Sequence, residues 1–346
     1  MPSVTPDTAR RPSQPKVLLG LLAAAMLLGA PCANAAGPVL TLYSAQHHQT
    51  VDMLTSAFTK QTGIAVRVHS GEAPEIANQI AREGNASPAD VFFTENSPEL
   101  TLLDEKHLLA KVDAATLAQI PAKYSAADGA WVGVLARENV LAFNPSMIKE
   151  DQLPASLLDL AKPEWKGKIA IAPTDADFLP LIDAVVVLKG RAAALDWLKG
   201  LKANAQVFDD DEGVIAAVDR GSAATGIINN YYWARLHAEE GAKARSQIHH
   251  FANGDVGGLI NVSGAGVLRS SKNPQAAQRF LAFLVSTPVQ QMLGASDVDF
   301  EYPLAKGASP NPLLKPMDQL QPPEISLQQL GDDQEAAKLL REAGLI

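Results

Sequence analysis

The sequence predicts an α/β protein built as two lobes. Strand-length apolar runs alternate with segments of helical period, the alternation recurs in two separate stretches, and a proline-rich tail closes the chain. In the first stretch Val39 to Ala45 (VLTLYSA) reads as a strand, Thr50 to Gln61 as a helix with Val51, Leu54, Ala57 and Phe58 on one face, and Ile64 to His69 as a strand. A helix over Glu75 to Glu83, a strand over Asp90 to Thr94 and a helix over Pro98 to Leu109 follow. Strands and helices alternating on short connections make a parallel sheet. The second stretch offers short strands at Val140 to Phe143, Lys168 to Ala172 and Thr225 to Ile228, with helices at Pro180 to Leu188, Ala192 to Leu201, Val214 to Asp219 and Tyr231 to Glu240. Ile260 to Arg269 returns as extended chain before the amphipathic helix Pro274 to Val285, and after the prolines from 310 to 323 a last helix spans Asp333 to Ala343. Ligands of open α/β sheets sit beyond the carboxyl ends of the strands, so the cleft between the lobes is the expected site.

Composition narrows the function. The chain has 346 residues, 47% of them hydrophobic, and a net charge of −9, which argues against a partner held by phosphate contacts such as nucleic acid. A single cysteine excludes a disulfide framework, a thiolate zinc cluster and a CxxC redox pair. That cysteine, Cys32, lies in what reads as a cleaved secretory leader over residues 1–35: Arg10, Arg11 and Lys16, an apolar run from Val17 to Ala30, then Ala33-Asn34-Ala35. The run is shorter than the roughly 20 residues that span a membrane. Pro31 before Cys32 speaks against a lipoprotein, and Pro12 after the paired arginines against twin-arginine export. Loss of the leader removes three basic residues and one acidic one, so the mature charge is −11 with no cysteine.

Three predicted strand ends carry metal-ligating side chains: His47-His48 after the first strand, Glu95 after the third, and Tyr231-Tyr232 after the strand that ends near Ile228. Asn229 or Asn230 is suited to cap the helix that follows, and adjacent residues in a first helical turn lie about 100° apart, so both phenols can reach one point. Two phenolates, a carboxylate and a neutral imidazole carry −3, which matches a trivalent ion, and hard oxygen donors suit Fe(III). The strings YSAQH (43–47), SPADVFFTE (87–95), PEWKGKIAIAPT (163–174), INNYYW (228–233) and EYPL (301–304) resemble the periplasmic ferric-ion-binding proteins of ABC importers. The resemblance covers essentially the whole mature chain. It implies a two-lobed, transferrin-like clamp of type II periplasmic binding protein fold, each lobe a mixed sheet flanked by helices. It implies His47, Glu95, Tyr231 and Tyr232 as iron ligands, selecting His47 over His48, and a monomer in the periplasm that serves an inner-membrane permease and its ATPase. The lobes are expected over 36–139 with 262–306, and over 140–261 with 307–346.

The resemblance also implies a synergistic anion, carbonate or phosphate, or a water, completing the iron site. Here the sequence departs from its relatives. Where many of them supply small residues whose N–H groups hold phosphate, this chain has Asp175-Ala176-Asp177, and Asp211 stands where another anion contact is expected, while Asn229 keeps its counterpart. A carboxylate at 175 caps those N–H groups itself and repels an anion. In the plainer reading Asp175 is a helix cap and Asp209 to Glu212 a solvated turn. Two other functions fit parts of the pattern: a binder of an organic solute, phosphonate, polyamine or thiamine with the aromatic residues as a wall, and a metal-dependent hydrolase on His47, His48 and Glu95. The second lacks HExxH and GxSxG elements. His249-His250 is expected on a surface loop or lobe edge, and His69, His107 and His237 as solvated or packing residues.

Overall fold

The computed structural model describes residues 39–346, so the leader and Cys32 lie outside the described residues. Strands β1 (Val39–Ala45), β2 (Ala65–Ser70) and β3 (Val91–Thr94) alternate with helices α1 (His48–Thr62), α2 (Ala73–Glu83) and α3 (Ser97–Glu105). The strands are parallel, with β1 between the other two. Helix α1 turns its Val51, Leu54 and Phe58 inward and stops at Gly63, whose φ of 74° lets its N–H bond the Thr59 carbonyl. Phe58 meets Phe280 and Phe283 edge-on at centroid separations of 5.0 and 5.3 Å.

The expected helix from Pro98 to Leu109 ends early, at Glu105. His107 takes a left-handed φ of 55°, and β4 (Leu109–Ala110) then pairs with a later strand. After α4 (Ala114–Leu117) comes β5 (Val132–Phe143), twelve residues long where the sequence suggested only Val140 to Phe143. The reason is chemical: Arg137-Glu138-Asn139 interrupts the apolar pattern, yet all three are buried because each finds a polar partner within the fold.

The next region contains β6 (Ile169–Ile171), α5 (Phe178–Lys189), α6 (Arg191–Asn204), β7 (Ala205–Val207), α7 (Asp211–Arg220), β8 (Thr225–Asn229), α8 (Asn230–Glu240) and β9 (Gln247–His249). The chain then returns through β10 (Ile260–Leu268), α9 (Pro274–Leu284), α10 (Thr287–Gly294) and β11 (Tyr302–Pro303), and ends in α11 (Gln334–Ala343). Strands β4, β7, β9 and β11 and helices α4 and α10 carry no strong periodicity, and sequence reading passed over them. Among the described residues the sheet path is β2-β1-β3-β10-β5-β8-β6-β7. Strand β5 belongs to both halves of that path: Val132 to Glu138 pair with β10, and Asn139 to Phe143 pair with β8. No helix of the described residues is long and apolar enough to cross a membrane.

Candidate metal centre

The sheet register gathers the candidate ligands. Ala45 of β1 sits beside Thr94 of β3, so the residues just beyond, His47 and Glu95, emerge at one edge, where His47 Nδ1 lies 3.2 Å from Glu95 Oε2. Asn229 at the end of β8 lies opposite Asn139 of β5, and the next turn is the start of α8, which carries Tyr231 and Tyr232. Their rings are 4.2 Å apart, and the His47 ring lies 5.0 Å from Tyr231 and 6.4 Å from Tyr232. All four side chains therefore converge. His47 Nε2 is buried without a partner, free to donate a lone pair to an ion. Among the described residues no three His, Cys, Asp or Glu side chains form a cation site alone, so a metal here depends on the phenols.

The anion candidates converge too. Asp175 accepts the N–H of Asp177 at 3.0 Å through Oδ1 and that of Asp211, the first residue of α7, at 3.1 Å through Oδ2. Asp211 in turn accepts the N–H of Asn229 at 3.2 Å. Three expectations are corrected. Asp211 is buried rather than in a solvated turn, the cap of α7 being Asp210, and neither Asn229 nor Asn230 caps α8 through its side chain. Asn230 Oδ1 instead accepts the Glu138 N–H. Asp175 is not the cap of α5; that position falls to Asp177, whose carboxylate turns into the core.

Directly behind the tyrosines the candidate Asp177 meets residues that sequence reading missed, Asn96 and Arg137, with Glu301 beyond them. Tyr231 donates its hydroxyl to Asp177 Oδ2 at 2.6 Å, and Asp177 Oδ1 accepts from Asn96 and from Arg137, both at 3.1 Å. Arg137, fully buried, also stands 3.6 Å from Glu301. The charged triplet inside an apolar strand run was the available signal, as was Glu301 in the EYPL string. Burial would raise the Asp177 carboxyl, but the Arg137 charge and the hydrogen bonds it accepts hold it below the usual range. Its neighbours go the other way. Burial and then the Asp177 charge push Asp175 up to about 7, and Asp211 is raised well above an ordinary carboxyl for the same kind of reason. Both phenols are raised well above 10, first by burial and next by the charge of Asp177. Burial lowers His47, yet the Glu95 hydrogen bond and charge outweigh it and leave the imidazole raised.

The cavity in front of these groups has a volume of about 550 Å³ and is lined by His47, Glu95, Asp175, Ala176, Tyr232 and Arg235 among others; Tyr231 lies behind Tyr232. A larger groove of about 760 Å³, between Ala122–Ala127 and Pro322–Gln329, holds one cation, Lys123, one carboxylate, Glu324, and no histidine. Chemistry rather than size identifies the site. His250 lies in the connection after β9, as expected of a loop or lobe edge, and bonds buried Glu138, while His249 falls within β9 and His237 packs on Trp233 at 4.2 Å as expected.

Two α/β lobes that share crossing strands and meet at a polar cleft at the strand ends form a type II periplasmic binding protein. The family described as bacterial extracellular solute-binding protein matches residues 54–320. The chain is 41% identical over 331 residues to the Fe(3+)-binding periplasmic protein of Serratia marcescens, covering 95% of this chain and 97% of that one. It is 37% identical over 328 residues to the major ferric iron-binding protein of Neisseria meningitidis serogroup A, covering 94% and 97%. The solved structure of iron-bound HitA from Pseudomonas aeruginosa aligns with a TM-score of 0.85 at 42% identity, over 89% of this chain and 99% of that one. The chain belongs to the bacterial extracellular solute-binding protein family.

Proposed function

We propose that this protein is a periplasmic receptor that closes on ferric iron and passes it to an ABC-type permease and its ATPase, acting as a monomer without covalent chemistry. The observation that carries the reading is the convergence of His47, Glu95, Tyr231 and Tyr232 in a chain whose relatives bear ferric names. Residues 1–35 act as its export leader. The lobes are 36–139 with 262–306 and 140–261 with 307–346, a division supported by the change of partner along β5 at Glu138 and Asn139. His47 and Glu95 come from one lobe and the tyrosines from the other, so the ion is fully satisfied only when the cleft shuts.

Asp175 serves in place of an exogenous anion. Its oxygens occupy the N–H groups of Asp177 and Asp211, and its carboxylate lines the cavity, so the ion needs water or Asp175 rather than phosphate to complete its shell. The test is optical. Protein mixed with ferric citrate develops a phenolate-to-iron charge-transfer band, and the double variant Tyr231→Phe, Tyr232→Phe loses it. A colourless wild type that still binds an organic solute overturns the iron reading.

A further inference from the structure

The strands that join the lobes carry a polar contact with no part in the metal centre. The first crossing is β5, where Glu138 is the last residue paired with β10 and Asn139 the first paired with β8. The second is the connection from β9 to β10, and its first residue is His250. The two crossings are bonded here: His250 Nδ1 stands 2.7 Å from Glu138 Oε2. The Glu138 side chain is 1% exposed and that of His250 20%, and the other carboxylate oxygen, Oε1, is buried with no partner. The bond with His250 is therefore what compensates this buried charge.

Other groups near the pair do not replace it. Arg137 precedes Glu138 on an extended strand, so it projects to the opposite face, where it meets Asp177 and Glu301. Tyr302 on β11 keeps a buried hydroxyl without a partner, and burial first, then the Glu138 charge, raises that phenol. Next to His250, burial lowers His249 against the opposing charge of Glu150. The backbone N–H of Glu138 bonds Asn230 Oδ1 at 2.8 Å, one residue before Tyr231. One residue thus ties the second crossing to the first and, through its backbone, to the helix that presents both tyrosines.

We propose that His250 is a positioning residue of the clamp: its bond to Glu138 locks the two crossings together and favours the closed arrangement. In the arrangement described here, the ring of His47 reaches both tyrosines and the bond between His250 and Glu138 is made. The claim rests on the reading of the protein as a two-lobed iron clamp. A buried charge-assisted hydrogen bond contributes enough to speed opening roughly ten- to a hundred-fold when it is lost.

The experiment compares wild type, His250→Ala, His250→Asn and Glu138→Gln by stopped-flow iron release to a chelator, by the charge-transfer band, and by small-angle scattering with and without iron. Asparagine places an amide donor near the position of Nδ1. The expected result is release about ten-fold faster or more in His250→Ala and a larger radius of gyration, an unshifted band, and recovery in His250→Asn. Glu138→Gln, which keeps an acceptor without the charge, falls between. Equal release rates in wild type and His250→Ala overturn the proposal, as does an asparagine variant no better than alanine. If His250→Ala does not fold, the comparison of wild type with His250→Asn and Glu138→Gln decides, since a structural role alone gives no graded release rates at equal melting temperature. If the wild type shows no iron band, the iron reading fails by itself. The hinge claim is then judged by scattering of the unliganded protein, in which His250→Ala must be the more open.

Discussion

Replacing Asp175 by alanine tests the internal-anion argument most directly. The substitution removes a carboxylate from the cavity and frees two backbone N–H groups now held at 3.0 and 3.1 Å. A contact with a charged group contributes about 1.5–3 kcal/mol, so loss of the single contact that Asp175 makes with the ion lowers iron affinity in an anion-free buffer by about that much, some 10- to 100-fold. The freed N–H groups, one of them opening α7, then form a site for an external anion. Phosphate at a hundred times its own dissociation constant restores about 2.7 kcal/mol, or about a hundred-fold. The assay titrates each protein with Fe(II) oxidised in place in a non-coordinating buffer, with and without phosphate, following the charge-transfer band. Wild type is expected to respond to phosphate by less than about three-fold, and the variant by about a hundred-fold. An alanine variant that loads as tightly as wild type without phosphate, or a wild type that loads only with it, refutes the reasoning.

Three further outcomes follow from the same electrostatics. Both phenols hold their protons well above neutrality, so each ferric ion bound expels two of them. Affinity measured against a chelator, corrected for the chelator's own protons, therefore rises about a hundred-fold per pH unit near neutrality, and a slope near zero contradicts phenolate ligation. Asp183 on α5 meets Asp333 before α11, and burial, followed by the charge of Asp332, pushes Asp183 up to about 7. A folded-state pKa raised above the unfolded value contributes stability that is present below about pH 4 and is lost as pH climbs through about 7. Asp183→Asn is accordingly expected to stabilise the protein by on the order of 3 kcal/mol at pH 8 and to do little at pH 4, as read from urea midpoints. Arg137→Gln leaves Asp177 buried without its cation and is expected to cost about 3–5 kcal/mol, with the loss smaller at pH 5, where that carboxyl can take a proton.

Sequence reading located β1 to β3 and their helices closely, apart from the end of α3, because those elements bury one face or a continuous run and so keep their period. The candidate ligands were legible for a related reason: they fall just after strands, where the chain leaves the sheet and polar side chains turn into the cleft, although only the family resemblance chose His47 over His48. Sequence reading failed where polarity is buried. The length of β5 was hidden because Arg137, Glu138 and Asn139 look like a break in an apolar strand, and only tertiary partners far along the chain, Asp177, His250 and Leu259, make their burial tolerable. Asp211 was misjudged for the same reason. An acidic run reads as solvated, and nothing local reveals that one of its four carboxyls folds inward to accept the Asn229 N–H. Periodicity reports the solvent boundary; it carries no information about which polar groups meet across the core.

The buried charges also bear on which ion the cleft selects. Asp177 faces Arg137 and is held below the usual carboxyl range, while Glu301, Asp175, Asp211 and both phenols are raised and so retain protons near neutrality. Protons are therefore the competitors any cation must displace. Burial strengthens that competition, since it raises each group's hold on its proton, and Asp177 strengthens it further by accepting the Tyr231 hydroxyl at 2.6 Å. A divalent ion gains less from phenolate than a trivalent one and must displace the same protons, so the burial that makes the phenols poor acids also makes the site selective. Exposed tyrosines would bind many metals weakly; tyrosines held this far above their ordinary pKa favour a hard ion of charge three. Reduction to the divalent state lowers the ion's hold on phenolate while the proton affinity of the site stays the same, which gives release a direction without any further device in the cleft.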